Sequence, residues 1–515
     1  ETTIRQLGGL LGIYSLLKPT LPKKEKDKMT DEEKRRAHQM DRVLEEAVSL
    51  GGRLLKSFPP TVTPRQWSES GPVIEEWMTG GRFVGVPQTS TVLLDSGKGT
   101  YRGGASCLAE IGTVQLELKV LSHFTGDCSY AEAAEATTDL IERRRQVSRH
   151  GLIPTHLKPQ DLATHKGTIS LGGGGDSFYE YLAKEWILTG QQDALLRAML
   201  LGFLRRLPDV VSKTSRPPSL PQPDWSKTYG DREGRINYGG QGLVYVADLS
   251  ERGRTKSARM GHLACFLPGM LMLLARTSLV WQPDEPPKAA CHDRSFAPAC
   301  HKIDGAFLER LADELCKTCV SMYFFTQSGL PPEGVRFSDS DIQRDMSQRN
   351  TLLRPETVES LAYMIELQGR PHYFTQDRQA KAATSDASGQ KEYIFSTVTE
   401  EEESAAVREW GVRYRNWTWK IFLAMIKWAK GAHGFSALAD PYAVPPRQTN
   451  TMESFVIAET FKYFLIAFSP PSTVRLDKLV FNTEAHPLPV LPDGGKCGRV
   501  ARHKRRSQQT VSETT

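Results

Sequence analysis

No apolar run in this chain is long enough to cross a membrane. The most hydrophobic stretch, residues 263–274 (LACFLPGMLMLL), contains Pro268 and is closed by Arg276, well short of the roughly 20 residues a spanning helix needs. Cysteine is scarce: 8 in 515 residues excludes a disulfide-built miniprotein and leaves room for one or two bridges. Neither sign of charge prevails. Lys and Arg number 66 against 60 Asp and Glu, a net of +6, too mild a surplus to make nucleic acid an expected partner. Collagen-like and coiled-coil compositions are excluded too. Residue 1 is Glu, not Met. That reads as a chain cut or processed in front of Glu1, so the lack of a secretory signal or anchor is uninformative.

What the sequence does contain is helical periodicity. Residues 4–17 (IRQLGGLLGIYSLL) and 108–121 (LAEIGTVQLELKVL) space their apolar positions by three and four, as do 177–186, 307–325, 358–367, 417–428 and 452–468. With 39% hydrophobic residues the chain can bury a sizeable core, and the pattern predicts an all-α protein of twelve or more helices. Between the helices lie polar or Pro-rich segments that read as surface insertions or disorder, near 18–40, 209–235, 282–303 and 376–405. Residues 491–515, with RVARHKRRS, read as a basic, disordered tail.

Several acids sit in surroundings that ordinary surface acids lack. Glu1 precedes an apolar helix. Asp176 follows four glycines in GGGGDSFYEYLAKEW, where it can be an N-cap or a catalytic carboxylate. In LRPETVESL, Pro355 suits the first position of a helix, which places Glu356 and Glu359 on one face, where acids also complement the helix dipole. Glu453 opens TMESF six residues before Glu459, and FNTEAHPLP holds Thr483 and Glu484 in a turn. Paired carboxyl groups are what cleavage of a glycosidic bond requires, one to protonate the leaving oxygen and one to activate water.

Taken in order, ETTIRQLGG, LAEIGTVQLELKVLSHFTGD, GGGGDSFYEYLAKEW, HLACFLPG, LRPETVES, MESFVIAETFKYFLIAFS and VFNTEAHPLPV resemble the class I α-1,2-mannosidases, glycoside hydrolase family 47. The likeness runs over residues 1–490, read as one catalytic domain with insertions. It implies an (αα)7 barrel, here without its first helices, and inverting removal of α-1,2-linked mannose from high-mannose N-glycans with a bound Ca2+. By the same resemblance Glu1 is the general acid, and Asp176 and Glu356 activate water, Glu356 as the base. Thr483 ligates calcium directly, while Glu359, Glu453 and Glu484 hold its water shell. Arg5, Arg354, His262 and Phe455 contact the sugar or line the pocket. A sparse protein shell around a hard cation leaves room for waters and sugar hydroxyls. Carboxyl groups roughly 6.5–9.5 Å apart suit inversion.

Two departures from the family pattern bear on activity. The portion normally preceding the Glu1 motif is absent, which predicts low activity for this chain, with a cationic terminus favouring the ionised form of Glu1. Gly174 stands where family members that stop after one mannose carry Arg, which predicts an open pocket. The resemblance also implies a Cys265–Cys319 disulfide, a monomer, and a secretory-pathway location in the endoplasmic reticulum or Golgi lumen. Membrane attachment would then come only through a lost type II N-terminal anchor. A zinc reading of Cys291-His292, Cys300-His301 and Cys316-x-x-Cys319 suffers from irregular spacing. The Asn416-Trp417-Thr418 sequon falls within a helical pattern and reads as unused. Two rivals remain: a protein of the same fold, glycan-recognising or degradation-linked, and a helical scaffold acting through its basic tail.

Overall fold

The structure, a computed structural model, describes residues 1–18, 28–58, 93, 105–158, 161–218, 236, 240–250, 256–281, 302–368, 405–470, 473–492 and 494–503. Thirteen α-helices lie among the described residues, with strands of only two to four residues between them. The helical expectation therefore holds. The chain divides into two compact units. One comprises Glu1–Val210, Asp248–Ser257 and Lys478–Thr515, the other Val211–Ala247 and Ala258–Asp477.

In the first unit, a π-helical turn over Thr3–Leu7 runs into α1 (Gly8–Leu17). Helix α2 (Asp31–Leu55) starts at a capping box, with the Thr30 side chain accepting from the Glu33 N–H and the Glu33 side chain accepting from the Thr30 N–H. The charged run expected to be an insertion over 18–40 is thus helical from Asp31, and it buries Met40. Asp31, Glu32 and Glu33 in its first turn suit the helix dipole, which explains why so polar a segment folds. Gly51 lets α2 approach its neighbour, since a Cβ there would lie 2.3 Å from the Leu121 side chain.

The stretch 108–121, read as one helix, is broken. A single turn over Leu108–Ile111 stops at Gly112, where a Cβ would meet the Phe178 ring at 2.4 Å, and α3 (Gln115–Thr125) starts afresh. Helix α3 ends at Gly126 with φ +79°, the left-handed cap that glycine adopts without strain. Next come α4 (Ser129–Arg145), α5 (Asp176–Leu188), buried from Phe178 onward, and α6 (Ala194–Arg206), capped by Asp193. An antiparallel hairpin, Leu479–Phe481 with Pro487–Pro489, completes the unit and leaves residues 482–486 as its loop.

The tail is not wholly disordered. Cys497 is disulfide-bonded to Cys128, and residues 499–503 are helical. Residues 504–515 lie outside the described residues.

The second unit holds α7 (Leu267–Ala275), α8 (Gly305–Phe324), α9 (Glu356–Leu367), α10 (Ala405–Trp428) and α11 (Phe461–Phe468). The apolar run 263–274 splits into a 3-10 turn over His262–Phe266 and a fully buried core helix, α7, and no described helix is long and apolar enough to span a membrane. A three-stranded antiparallel sheet, with Gly334–Phe337 between Arg259–Gly261 and Ile342–Arg344, presses Met260, Val335, Phe337 and Ile342 onto a core that includes Cys265, Cys319 and Met322. Cys265 and Cys319 form the expected disulfide. That bond removes Cys319 from any zinc set, while Cys291, His292, Cys300 and His301 lie outside the described residues. The sequon lies in α10, with Thr418 fully buried and its hydroxyl donating to the Tyr414 carbonyl at 2.8 Å. Of the expected insertions, residues 211–213 form a strand paired with Val244–Val246. The segments 282–301 and 376–404 lie outside the described residues.

Candidate active site

The residues singled out from sequence fall into two constellations, one in each unit. In the first unit the hairpin loop carries Thr483 and Glu484. Asn482 shapes it by accepting the N–H groups of Glu484 and His486 on Oδ1, at 3.0 and 2.8 Å. Its Nδ2 donates to the Ile4 carbonyl (2.8 Å) and to Glu117 Oε1 (2.7 Å), fixing the loop against the start of the chain. Gly8 permits this close fit, because a Cβ would sit 2.6 Å from Asn482 Nδ2 and force it to shift.

Thr483 Oγ1 donates to Glu180 Oε2 at 2.9 Å, and Glu180 is paired with Lys184, one helical turn along α5. Arg5 bridges Glu484 Oε2 (2.6 Å) and Glu1 Oε2 (2.5 Å). Burial raises the Glu1 carboxyl, but the Arg5 hydrogen bond and the Arg5 charge oppose it, and Glu1 is held below the usual range. Its side chain remains 76% exposed. Asp176 is the first residue of α5, not its N-cap, which is Gly175; its Oδ1 accepts the Ser177 N–H at 2.9 Å. Gly174 has φ +93°, with Cys107 Sγ and Thr155 Cβ each 3.5 Å from where a Cβ would be. Any side chain at this position would be strained.

Glu117 and Glu180 escaped the sequence reading, although both lie in motifs quoted above. Their signal was acid placed inside an otherwise apolar helix. Glu117 is fully buried and is pushed up to about 7 by burial, despite hydrogen bonds from Asn482 and Tyr181. Its Oε2 is buried with no hydrogen-bond partner among the described residues.

In the second unit Glu356 is the first residue of α9, with Pro355 at the N-cap and not inside the helix. Glu356 Oε2 lies 3.2 Å from His262 Nδ1. His262 Nε2 meets Tyr323 Oη at 3.1 Å and Thr357 Oγ1 at 3.0 Å. Burial pushes the imidazole down to about 4, so it is neutral at pH 7. Two hydroxyls can donate to Nε2, which places the single ring proton on Nδ1, aimed at Glu356. Arg354 donates to Glu333 Oε2 at 2.5 Å and stacks 5.4 Å over the Phe455 ring. Glu333, a third acid missed in the sequence, accepts the Leu352 N–H as well. Glu359 is buried and accepts the Tyr463 hydroxyl at 3.0 Å. Glu453 is only partly buried, whereas Glu459 is 4% exposed.

The carboxylates of both constellations are thus held by polar partners on a helical frame. The sequence matches the description Glycosyl hydrolase family 47 over residues 1–400 and 411–490, and the chain belongs to that family. It is 29% identical over 95% of its length to a mannosyl-oligosaccharide 1,2-alpha-mannosidase of Arabidopsis thaliana, covering 66% of that protein. It is also 29% identical over 95% of its length to the endoplasmic reticulum mannosyl-oligosaccharide 1,2-alpha-mannosidase of Homo sapiens, covering 52% of it. The chain thus spans about half to two thirds of these relatives. An alpha-1,2-mannosidase from Trichoderma reesei aligns structurally with a TM-score of 0.62 at 21% identity, over 95% of this chain and 81% of that one. This likeness shows the fold, which is the (αα)7 class expected from the sequence.

Proposed function

We propose that this chain hydrolyses terminal α-1,2-linked mannose from high-mannose N-glycans, with inversion, in the secretory pathway. The observation that carries the reading is the Glu356–His262–Tyr323–Thr357 relay. A general base must be ionised and oriented. Here the neutral imidazole donates to one carboxylate oxygen without adding a full charge, and the N-terminus of α9 favours the anion. Glu356 is thereby held ready to take a proton from water, and Asp176, at the head of α5, is the second acid of the set. Glu1 is the proposed general acid. Arg5 keeps it ionised in the free chain, so acid catalysis requires bound sugar to desolvate Glu1 and draw Arg5 toward Glu484.

The residues around Thr483 fit a hard cation. Donating its proton to Glu180 leaves the Thr483 hydroxyl oxygen with lone pairs for an ion, and the orphaned Glu117 Oε2 marks a place for ordered water. Among the described residues no group of three His, Cys, Asp or Glu is gathered to ligate a metal. Glu484, next to Thr483 on the hairpin loop, is proposed to orient its waters. When bound, Ca2+ would supply electrostatic orientation of sugar hydroxyls and of the attacking water.

The Glu1–Arg5 pair favours the rival of glycan binding without cleavage, so turnover must be measured. Hydrolysis of α-1,2-mannobiose, followed by NMR of the released anomer, should yield β-mannose first. Glu356→Gln should lower turnover by about 10²–10⁴-fold at unchanged melting temperature. Binding with no turnover by the wild-type chain would overturn the catalytic reading.

A further inference from the structure

The two disulfides sit in unlike surroundings. Cys265 and Cys319 are both 0% exposed, inside the core of their unit. Cys128 is part-exposed, in the turn after α3, and Cys497, 5% exposed, lies beneath it on the last described stretch of chain.

That stretch is tied down at several points. Leu491 N–H donates to the Leu188 carbonyl at 2.6 Å, and Gln192 donates to the Pro492 carbonyl. Arg499 N–H donates to Glu135 Oε1 at 2.7 Å, while its guanidinium reaches Asp139 at 2.7 Å and Asp193 at 3.4 Å. Arg502 bonds Glu135 Oε2 at 2.6 Å. Beneath them Lys119 pairs with Glu135 (3.2 Å) and Glu185 (3.0 Å). Burial alone would raise Glu135, but Lys119, Arg499 and Arg502 bring it down to about 2. If residues 491–503 lifted away, Glu135, Glu185 and Asp193 would keep only Lys119 of these three cations. The segment is the direct continuation of the Leu479–Phe481/Pro487–Pro489 hairpin whose loop holds Thr483, and α5, on which its start rests, carries Glu180, the Thr483 partner.

We propose that residues 491–503 form a redox-released clasp: the Cys128–Cys497 bond keeps the segment seated on the buried acids, and its reduction frees the segment and loosens the Thr483 loop. This goes beyond the hydrolase reading and stands without it. The reductant is a dithiol. One of its thiolates attacks the part-exposed Cys128 sulfur and Cys497 leaves as thiolate. The second thiol of the reagent then resolves the mixed disulfide, so that two protein thiols and one oxidised dithiol result.

The test treats the 515-residue chain with a small dithiol under native conditions, identifies the freed thiols by mass spectrometry and follows amide hydrogen exchange. Cys128–Cys497 should open while Cys265–Cys319 persists. Amides in 494–503 should then exchange at least about tenfold faster, and those of 482–486 should follow. The Cys128→Ser/Cys497→Ser variant should show the same pattern without reductant. If that variant does not fold, the reduced wild-type chain supplies the same readout. Unchanged protection of 494–503 after the bond opens would overturn the clasp. A freed segment with a fully protected 482–486 would overturn its link to the loop. Opening of Cys265–Cys319 first would overturn the selectivity.

Discussion

Acidification should reveal the relay at His262 as a loss of stability. The imidazole is 1% exposed and burial lowers it to about 4, against 6.5 for an unperturbed histidine. A base whose folded value is depressed stabilises the fold fully above its unfolded value and loses that contribution as pH falls toward the folded value. The window is therefore pH 6.5 to 4. The whole shift corresponds to about 3 kcal/mol at 1.36 kcal/mol per unit, and about 2 kcal/mol of it is spent between pH 7 and 4.5. Urea unfolding of the wild-type chain and of His262→Gln at pH 7.0, 5.5 and 4.5 isolates this contribution. Other groups titrate in both proteins, so the informative quantity is the difference between them. His262→Gln should be less stable at pH 7, because one amide cannot satisfy Glu356, Tyr323 and Thr357 together. The gap should narrow by about 2 kcal/mol by pH 4.5. A gap that stays constant to within about 0.5 kcal/mol would mean that His262 takes up its proton in the fold as readily as in the unfolded chain. The desolvated imidazole, and with it a ring that stays neutral beside Glu356 through mild acid, would then be wrong.

Three further outcomes are expected. Removing divalent ions with a chelator should lower the melting temperature of the wild-type chain by about 2–4 °C. Thr483→Val, which lacks the hydroxyl, should start lower and not respond; equal responses would place any ion elsewhere. Gly8→Ala should cost about 1–3 kcal/mol in urea unfolding, since its Cβ would press on Asn482 Nδ2, and it should weaken any calcium response at the same time. Cys265→Ala/Cys319→Ala should lose about 2–5 kcal/mol because both positions are wholly buried in the unit's core. A loss below about 1 kcal/mol would show that the core repacks around the gap.

Much of the fold is written in local pattern, and the exceptions have local causes. The helices over 307–325 and 358–367 were legible because apolar residues recur at the helical period, and the structure forms α8 and α9 there. The break at Gly112 was not legible, since periodicity continues across it. What stops the helix is the Phe178 ring, which belongs to another helix. The charged run before Met40 was misread for the opposite reason. Its composition suggested a solvated loop, yet the Thr30–Glu33 capping box is a short-range signal for a helix start and stands in plain sight in TDEE.

The site divides along the same line. Glu356, Thr483 and Asp176 stood out because Pro, Gly and turn residues flank them. Glu117, Glu180 and Glu333 did not, because each resembles an ordinary helix or loop acid until its burial is known. Burial is a tertiary property: Glu117 becomes unusual only when Asn482 and Tyr181 converge on one of its oxygens, 365 and 64 residues away along the chain. The same applies to Arg499. In the sequence it belongs to a basic tail with the look of a solvated end. In the fold, desolvation works against its charge, while Asp139, Asp193, Glu135 and Glu185 hold the guanidinium more firmly protonated than an exposed arginine. An unpaired charge so placed costs far more than a surface ion pair gains. The acids of this unit thus determine where Arg499 and Arg502 must lie, a constraint that no reading of the tail by itself contains.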